Sequence, residues 1–258
     1  MSPPLQAVRS ILLFLLCICV EQPIAAQSVM PAARLPEQLT KEEIVSNMIR
    51  KNLERAQALS AFQGTRVYHL EHHGFPGSRS AEMIVDVKYQ SPAKKEFTIR
   101  SSSGSKILIE KVFNKLLESE QEALTEENQS RVALNNENYS FTLAGQENTP
   151  AGSYYILAVE PRTTNKLLYR GRIWVDATDF AVARIEAAPA KRPSFWIKDT
   201  KIEHVYIKVG DFWLPTSNRS TSTTRLGGHA VLTIDYSDYR VIAAPARADS
   251  KETIASHR

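Results

Sequence analysis

Residues 169–187, YRGRIWVDATDFAVARIEA, constrain the fold more tightly than any other stretch of the chain. Tyr169, Gly171, Ile173 and Val175 alternate with Arg170, Arg172, Trp174 and Asp176. After a short reversal, Ala181, Ala183, Ile185 and Ala187 alternate with Phe180, Val182, Arg184 and Glu186. Period-two alternation on both sides of a turn is the pattern of a hairpin in an antiparallel sheet. Asp176–Asp179 supplies the turn, because aspartate side chains accept bonds from their own backbone. Trp174 shares a face with Arg170 and Arg172, which places it on the outside of the sheet.

From Tyr139 onward the chain reads almost entirely as strand. Tyr139–Gly145 and Ser153–Glu160 come first, and Tyr155, Leu157 and Val159 of the second share a face. The hairpin follows, then Ile202–Val209, Phe212–Thr224 and His229–Val241, with tight turns at Gly210-Asp211 and Gly227-Gly228. Such spacing implies a large antiparallel sheet. Earlier, Thr65–His73 and Ala81–Tyr89 form another hairpin. Met83, Val85, Val87 and Tyr89 lie on one face of its second strand. Glu96–Arg100 is a further strand, and Ser101–Ser105 reads as a loop.

Two helices accompany the strands. Thr40 and Glu43 form a capping box, with Leu39 and Ile44 placed as a staple. Ile44, Val45, Met48, Ile49, Leu53, Ala56 and Leu59 then recur at three- and four-residue steps, a stripe that must lie on an apolar surface. A second helix is expected over Lys106–Leu124, with Leu108, Val112, Leu116 and Leu117 as its stripe. Thr125–Asn138 is either loop or a continuation.

The chain opens with Arg9 before an apolar run, Ile11–Val20, and small residues to Ala26. The run is too short for a bilayer, which takes about 20 residues. Residues 1–26 therefore read as a secretory signal peptide with Gln27 as the mature start. Residues 27–38 read as a flexible lead-in, 39–243 as the folded domain and 244–258 as a disordered tail. Cys17 and Cys19 both fall within the signal segment, so the mature chain has neither disulfide nor thiolate chemistry. A formal charge of +4 permits contact with anionic headgroups or acidic partners. No Lys/Arg block is dense enough to argue for nucleic acid.

Chemical motifs are sparse. His69, His72 and His73 cluster around Glu71, but His72 opposes the other two on a strand. A zinc site needs three converging ligands, so partly exposed strand histidines are the preferred reading. Ser103 lacks the flanking glycines of a nucleophile elbow, and no phosphate or dinucleotide motif appears. No catalytic residue, metal or cofactor is therefore expected. What remains is apolar: a sheet this long has more apolar inner face than two helices cover, which favours closure into a barrel or curling around a cavity.

Gly171-Arg172-Ile173-Trp174-Val175-Asp176, Arg184-Ile185-Glu186 and Gly210-Asp211-Phe212-Trp213-Leu214-Pro215 resemble recurring features of the LolA/LolB-like carriers and their outer-membrane lipoprotein-sorting relatives. The resemblance covers Leu39–Ala243. Ala177, Thr178 and Asp179 depart from the Pro and Gly usual in that hairpin turn. The resemblance implies a mainly β fold with α: a large antiparallel sheet curled into an incomplete barrel around helices, with a hydrophobic cavity between them. It further implies a periplasmic, non-enzymatic carrier of lipid or lipoprotein acyl chains, monomeric, passing cargo from an inner-membrane donor to an outer-membrane acceptor. Candidate cavity residues are Met83, Val85, Val87, Tyr155, Leu157, Ile173 and Val175. Two alternatives stand beside it: a lipid sensor of the same fold that binds a partner protein, and a small secreted hydrolase.

Overall fold

The computed structural model describes residues 39–243, apart from positions 75, 76, 166, 193, 194, 196 and 226. The expected signal segment, lead-in and tail, with both cysteines and Trp196, lie outside the described residues.

Helix α1, Lys41–Ala58, starts at the capping box: the Thr40 N–H donates to Glu43 Oε2 at 2.8 Å and the Glu43 N–H donates to Thr40 Oγ1 at 3.3 Å. Two donors that the first turn leaves open are thereby satisfied. Three strands follow: β1 (Leu59–His73), β2 (Arg79–Gln90) and β3 (Lys94–Gly104). A helical segment comes next, formed by α2 (Lys106–Leu108), a π-helical turn (Ile109–Phe113) and α3 (Asn114–Ala123). It is followed by α4 (Glu126–Val132). The remaining strands are β4 (Tyr139–Thr149), β5 (Gly152–Pro161), β6 (Tyr169–Asp176), β7 (Val182–Pro189), β8 (Ile197–Val209), β9 (Phe212–Thr224) and β10 (His229–Ala243).

All ten strands join one antiparallel sheet in the order β3-β2-β1-β10-β9-β8-β7-β6-β5-β4. The sheet is open, with β3 and β4 as its edges. The fold is thus mainly β with few helices, as the alternation predicts. The pairing that makes it a single sheet is β1 with β10, from Leu59↔Ala243 to His73↔His229.

Directly paired residues point to the same side of a sheet, so the register can be followed from edge to edge. One row runs Leu143–Leu157–Ile173–Ile185–His204–Asn218–Ile234–Tyr68–Met83–Ser102. Ile173 and Ile185 in this row pack with Ile44, Val45 and Met48 of α1 in a first apolar cluster. Tyr68, Met83 and Ile234 pack with Phe113 and Leu117 of the second helical segment in another. Both helical segments therefore lie on one face of the sheet, over opposite flanks. The middle of the row, His204 on β8 and Asn218 on β9, is polar. The next row repeats the pattern with Ala187–Ile202–Ser220–Leu232–Leu70, and Thr200 meets Ser222 with their hydroxyls 2.9 Å apart. The inner face accordingly holds less unbroken apolar surface than the strand alternation suggests.

Three local readings need correction. Ser101–Gly104 is the end of β3, paired with Ala81–Ile84, rather than a loop. Short hydroxyl side chains are tolerated there because an edge strand has one open side, and β2 is long enough to carry the ladder on. Phe180 lies outside β7, in the left-handed region at φ 52°, so the strand begins at Val182. The helix expected over Lys106–Leu124 contains the π turn, in which the Asn114 N–H reaches back to the Ile109 carbonyl and Phe113 is fully buried.

On the outer face, Trp174 is nonetheless covered. The Arg184 guanidinium lies 3.7 Å from the centre of its ring, and the indole N–H donates to Glu147 Oε2 at 2.6 Å. Arg184 donates to the same oxygen at 3.1 Å. A cation stacked on an indole and tied to a shared carboxylate keeps an outward-facing tryptophan only 5 % exposed.

Candidate functional site: an apolar cavity beside the first helix

A cavity of about 350 Å³ lies between the last turns of α1 and the inner side of the sheet. Ala56 and Leu59 line it from the helix and its exit. Tyr169, Val182 and Ile185 line it from β6 and β7, Tyr206 from β8, and Phe212 and Leu214 from β9. Tyr169 pairs with Pro189 and Val175 with Val182, so the β6–β7 part of the lining spans six register steps along β6. At about 3.3 Å per residue that is roughly 20 Å of strand. The volume is within the range of small-molecule pockets, about 300–1,000 Å³.

Polar groups enter at one corner, where Asn52, Arg55 and Trp213 also line the cavity. They are already committed. Arg55 donates to the carbonyls of Asp179 at 2.9 Å and Phe180 at 3.3 Å, and to Asn52 Oδ1 at 2.7 Å. The Trp213 indole N–H donates to Asp179 Oδ2 at 3.0 Å, and Lys208 Nζ stands 2.7 Å from the same atom. The Asp176 carboxylate meanwhile accepts the N–H groups of Thr178 and Asp179 at 2.9 and 2.7 Å. The hairpin turn is thus pinned from α1, β8 and β9 together. Hydrogen bonds from Lys208 and Trp213 hold the Asp179 carboxyl below its usual value. Burial lowers the Arg55 pKa against the opposing charge of Asp179.

Burial also keeps the phenols of the lining neutral, with Tyr206 pushed up to about 12 and Tyr169 raised well above 10.0. Such a lining carries no uncommitted charge with which to attract an ion. It offers rings and aliphatic side chains.

The residues expected to form a cavity are placed elsewhere. Leu157, Ile173 and Val175 are fully buried in the first apolar cluster beneath α1. Tyr155 packs against that cluster and stacks on Phe180 with ring centres 6.3 Å apart. Met83, Val85 and Val87 are buried in the second cluster beneath Phe113 and Leu117. The structure therefore separates the seven into two groups on opposite flanks, and none of them lines the 350 Å³ cavity. Ile185 links the two descriptions, since it belongs to the first cluster and lines the cavity. The available signals were the α1 stripe with Ala56 and Leu59, the hairpin with Tyr169, Val182 and Ile185, and the Gly210–Pro215 motif with Phe212, Trp213 and Leu214. The lining side chains Arg55 and Tyr206 carry no such signal in the sequence.

The histidines do not converge. His69, Glu71 and His73 share one face of β1, where His69 Nε2 lies 3.1 Å from Glu71 Oε1 and His73 stacks on His229 at 4.9 Å. His72 turns to the other face and contacts the Gly77 carbonyl at 3.3 Å. Among the described residues no group of three or more His, Cys, Asp or Glu side chains is arranged to hold a metal ion. No helix among them is long and apolar enough to cross a membrane.

No family model matches the chain, and no curated protein matches it. Solved structures similar to it include a DUF1329 family protein from Desulfovibrio piger, at 16% identity and a TM-score of 0.40 over 78% of this chain and 92% of that one. Another is a LolA superfamily protein, NE2245 from Nitrosomonas europaea, at 13% identity and a TM-score of 0.34 over 78% and 94%. A third is a putative outer membrane lipoprotein-sorting protein domain from Vibrio parahaemolyticus, at 12% identity and a TM-score of 0.38 over 75% and 90%.

Proposed function

We propose that this chain is a non-enzymatic periplasmic carrier that shields a lipid or lipoprotein acyl chain, received from an inner-membrane donor and passed to an outer-membrane acceptor. The observation that supports this reading is the cavity beside α1: its walls are mostly apolar, its phenols are neutral, and its one cation, Arg55, donates to the Asp179 and Phe180 carbonyls of the turn that it pins. A hydrocarbon chain entering there leaves water without stripping a charged group, a gain of about 0.8 kcal/mol per buried methylene. Cargo that pushes further between α1 and the sheet meets Tyr155, Leu157, Ile173 and Val175 next. Met83, Val85 and Val87 would be reached only by lifting the second helical segment.

Native mass spectrometry of the gently purified protein, together with uptake of a fluorescent fatty acid, tests the reading. Lipid should co-purify, and the fatty acid should bind. Ala56 is exposed on the helix yet lines the cavity, so Ala56→Trp fills the space without disturbing either core. Its affinity should fall about tenfold, the equivalent of two buried methylenes. Absence of bound lipid and of uptake, or equal uptake by Ala56→Trp, would overturn the proposal.

A further inference from the structure

The meander sends its connections alternately to two ends of the sheet. The β5–β6, β7–β8 and β9–β10 connections share one end, and the pairing of His73 with His229 brings the β1–β2 turn to the same place. The four connecting sequences, 162–168, 190–196, 225–228 and 74–78, contain no Asp or Glu. Their described positions carry Arg162, Lys191, Arg192 and Arg225, all exposed. At the opposite end, the β4–β5, β6–β7, β8–β9 and β2–β3 connections contain Asp179 and Asp211 and no Lys or Arg. The connections at the two ends thus differ in charge, although Asp179 at the far end is paired with Lys208.

The basic end has a second property. Phe195, in the β7–β8 connection between Arg192 and Lys198, is 69% exposed. The Arg225 guanidinium of the β9–β10 turn lies 4.6 Å from the centre of its ring. At the same end a depression of about 650 Å³ brings together Arg131, Thr163, Lys191 and Arg192. Arg192 also borders a second depression with Arg170, Lys198 and one carboxylate, Asp199. An outward-facing aromatic ring among cations drawn from several loops fits the interface of an anionic bilayer, where the ring enters the headgroup boundary and the cations meet phosphates.

We propose that this end of the sheet docks on an anionic lipid surface, with Phe195 inserted and Lys191, Arg192 and Arg225 on the headgroups. The surface is separate from the cavity beside α1 and does not depend on what that cavity holds. Charge complementarity selects the bilayer as occupant. Each cation held near such a surface strengthens partitioning about fivefold, and added salt should weaken it.

Co-sedimentation of the purified protein with phosphatidylcholine vesicles, with and without phosphatidylglycerol, tests the proposal. Binding should require the anionic lipid. It should fall at least tenfold in Lys191→Glu/Arg192→Glu and several-fold in Phe195→Ser, and stay unchanged in Asp211→Asn at the opposite end. Thermal melts of each variant separate lost docking from lost folding. Equal binding to both vesicle types, full binding by the double charge reversal, or complete competition by dilute inorganic phosphate would overturn it, the last by assigning a free-anion site instead. The cavity variant Ala56→Trp should dock like the parent, so failure of the carrier reading and failure of the docking surface are told apart.

Discussion

Arg66 on β1 and Glu120 on α3 meet side by side, Nη1 donating to Oε2 at 2.6 Å and Nη2 to Oε1 at 3.0 Å. Lys95 of β3 adds a third contact at 2.6 Å, and the Arg66 side chain is only 8% exposed. Burial opposes ionisation of Glu120, but the Arg66 hydrogen bonds and the charges of Lys95 and Arg66 outweigh it and hold the carboxyl at about 2. Glu120 therefore anchors the second helical segment to the sheet. Glu120→Gln leaves two cations in the site without their carboxylate and should cost about 3 kcal/mol in urea unfolding. Because the folded pKa is depressed from 4.5, the contribution of Glu120 is complete above the ordinary carboxylate range. It should fade by about 3 kcal/mol as pH falls from there toward 2. A variant with the parent's acid dependence would contradict this assignment.

Gly171 opens the motif that marks the hairpin, and its place is set by contact. A Cβ there would stand 2.2 Å from the Glu186 carbonyl oxygen and 2.6 Å from the Ala187 Cα, both backbone atoms of β7. Gly171→Ala must push β6 off its partner, and about 3 kcal/mol of stability should go with it. Gly145 has a similar φ of 152° but meets nothing within 4 Å. Gly145→Ala thus carries the backbone strain alone. Urea titrations of the two variants should differ clearly, and equal losses would show that φ, not the close approach of β7, fixes the glycine.

His204 titrates the middle of the inner face. Burial holds its pKa below 6.5, opposed by a hydrogen bond to Asn218. Tyr206, two residues on along the strand, stays neutral across the acid range. The folded state thus binds fewer protons than the unfolded chain. The stability linked to His204 is present in full above pH 6.5 and is lost as pH falls through the depressed value. His204→Gln, which keeps a hydrogen-bonding side chain without the titration, should flatten the stability profile between about pH 7 and pH 5. Urea midpoints across that window would show it, and an unchanged slope would count against a half-buried histidine held neutral.

Local chemistry was readable where it decided local structure. The Thr40–Glu43 box, the Asp176 turn and the alternation of β6 and β7 each rest on residues within a few positions of one another. Ser101–Ser103 misled because serine runs favour loops, whereas β2 provided a ladder long enough to keep them extended. The alternation of β7 extends back through Phe180, but the left-handed backbone there makes it part of the turn. The cavity was out of reach for a different reason. Arg55 and Trp213 are more than 150 positions apart in sequence, and only the β1–β10 pairing and the pinned turn bring them to one corner. The seven expected cavity residues were chosen for alternation, which identifies an inner face but does not distinguish a packed core from an empty space.

The polar pair His204–Asn218 divides the interior without dividing the backbone. Ten strands share a continuous ladder, yet the apolar cover is interrupted at His204 and Asn218, and each flank keeps its own helix and its own cluster. Solvent-driven cohesion is therefore local to each half, while hydrogen bonding spans both. Amide exchange along β8 and β9 should therefore report local opening of this polar strip ahead of global unfolding.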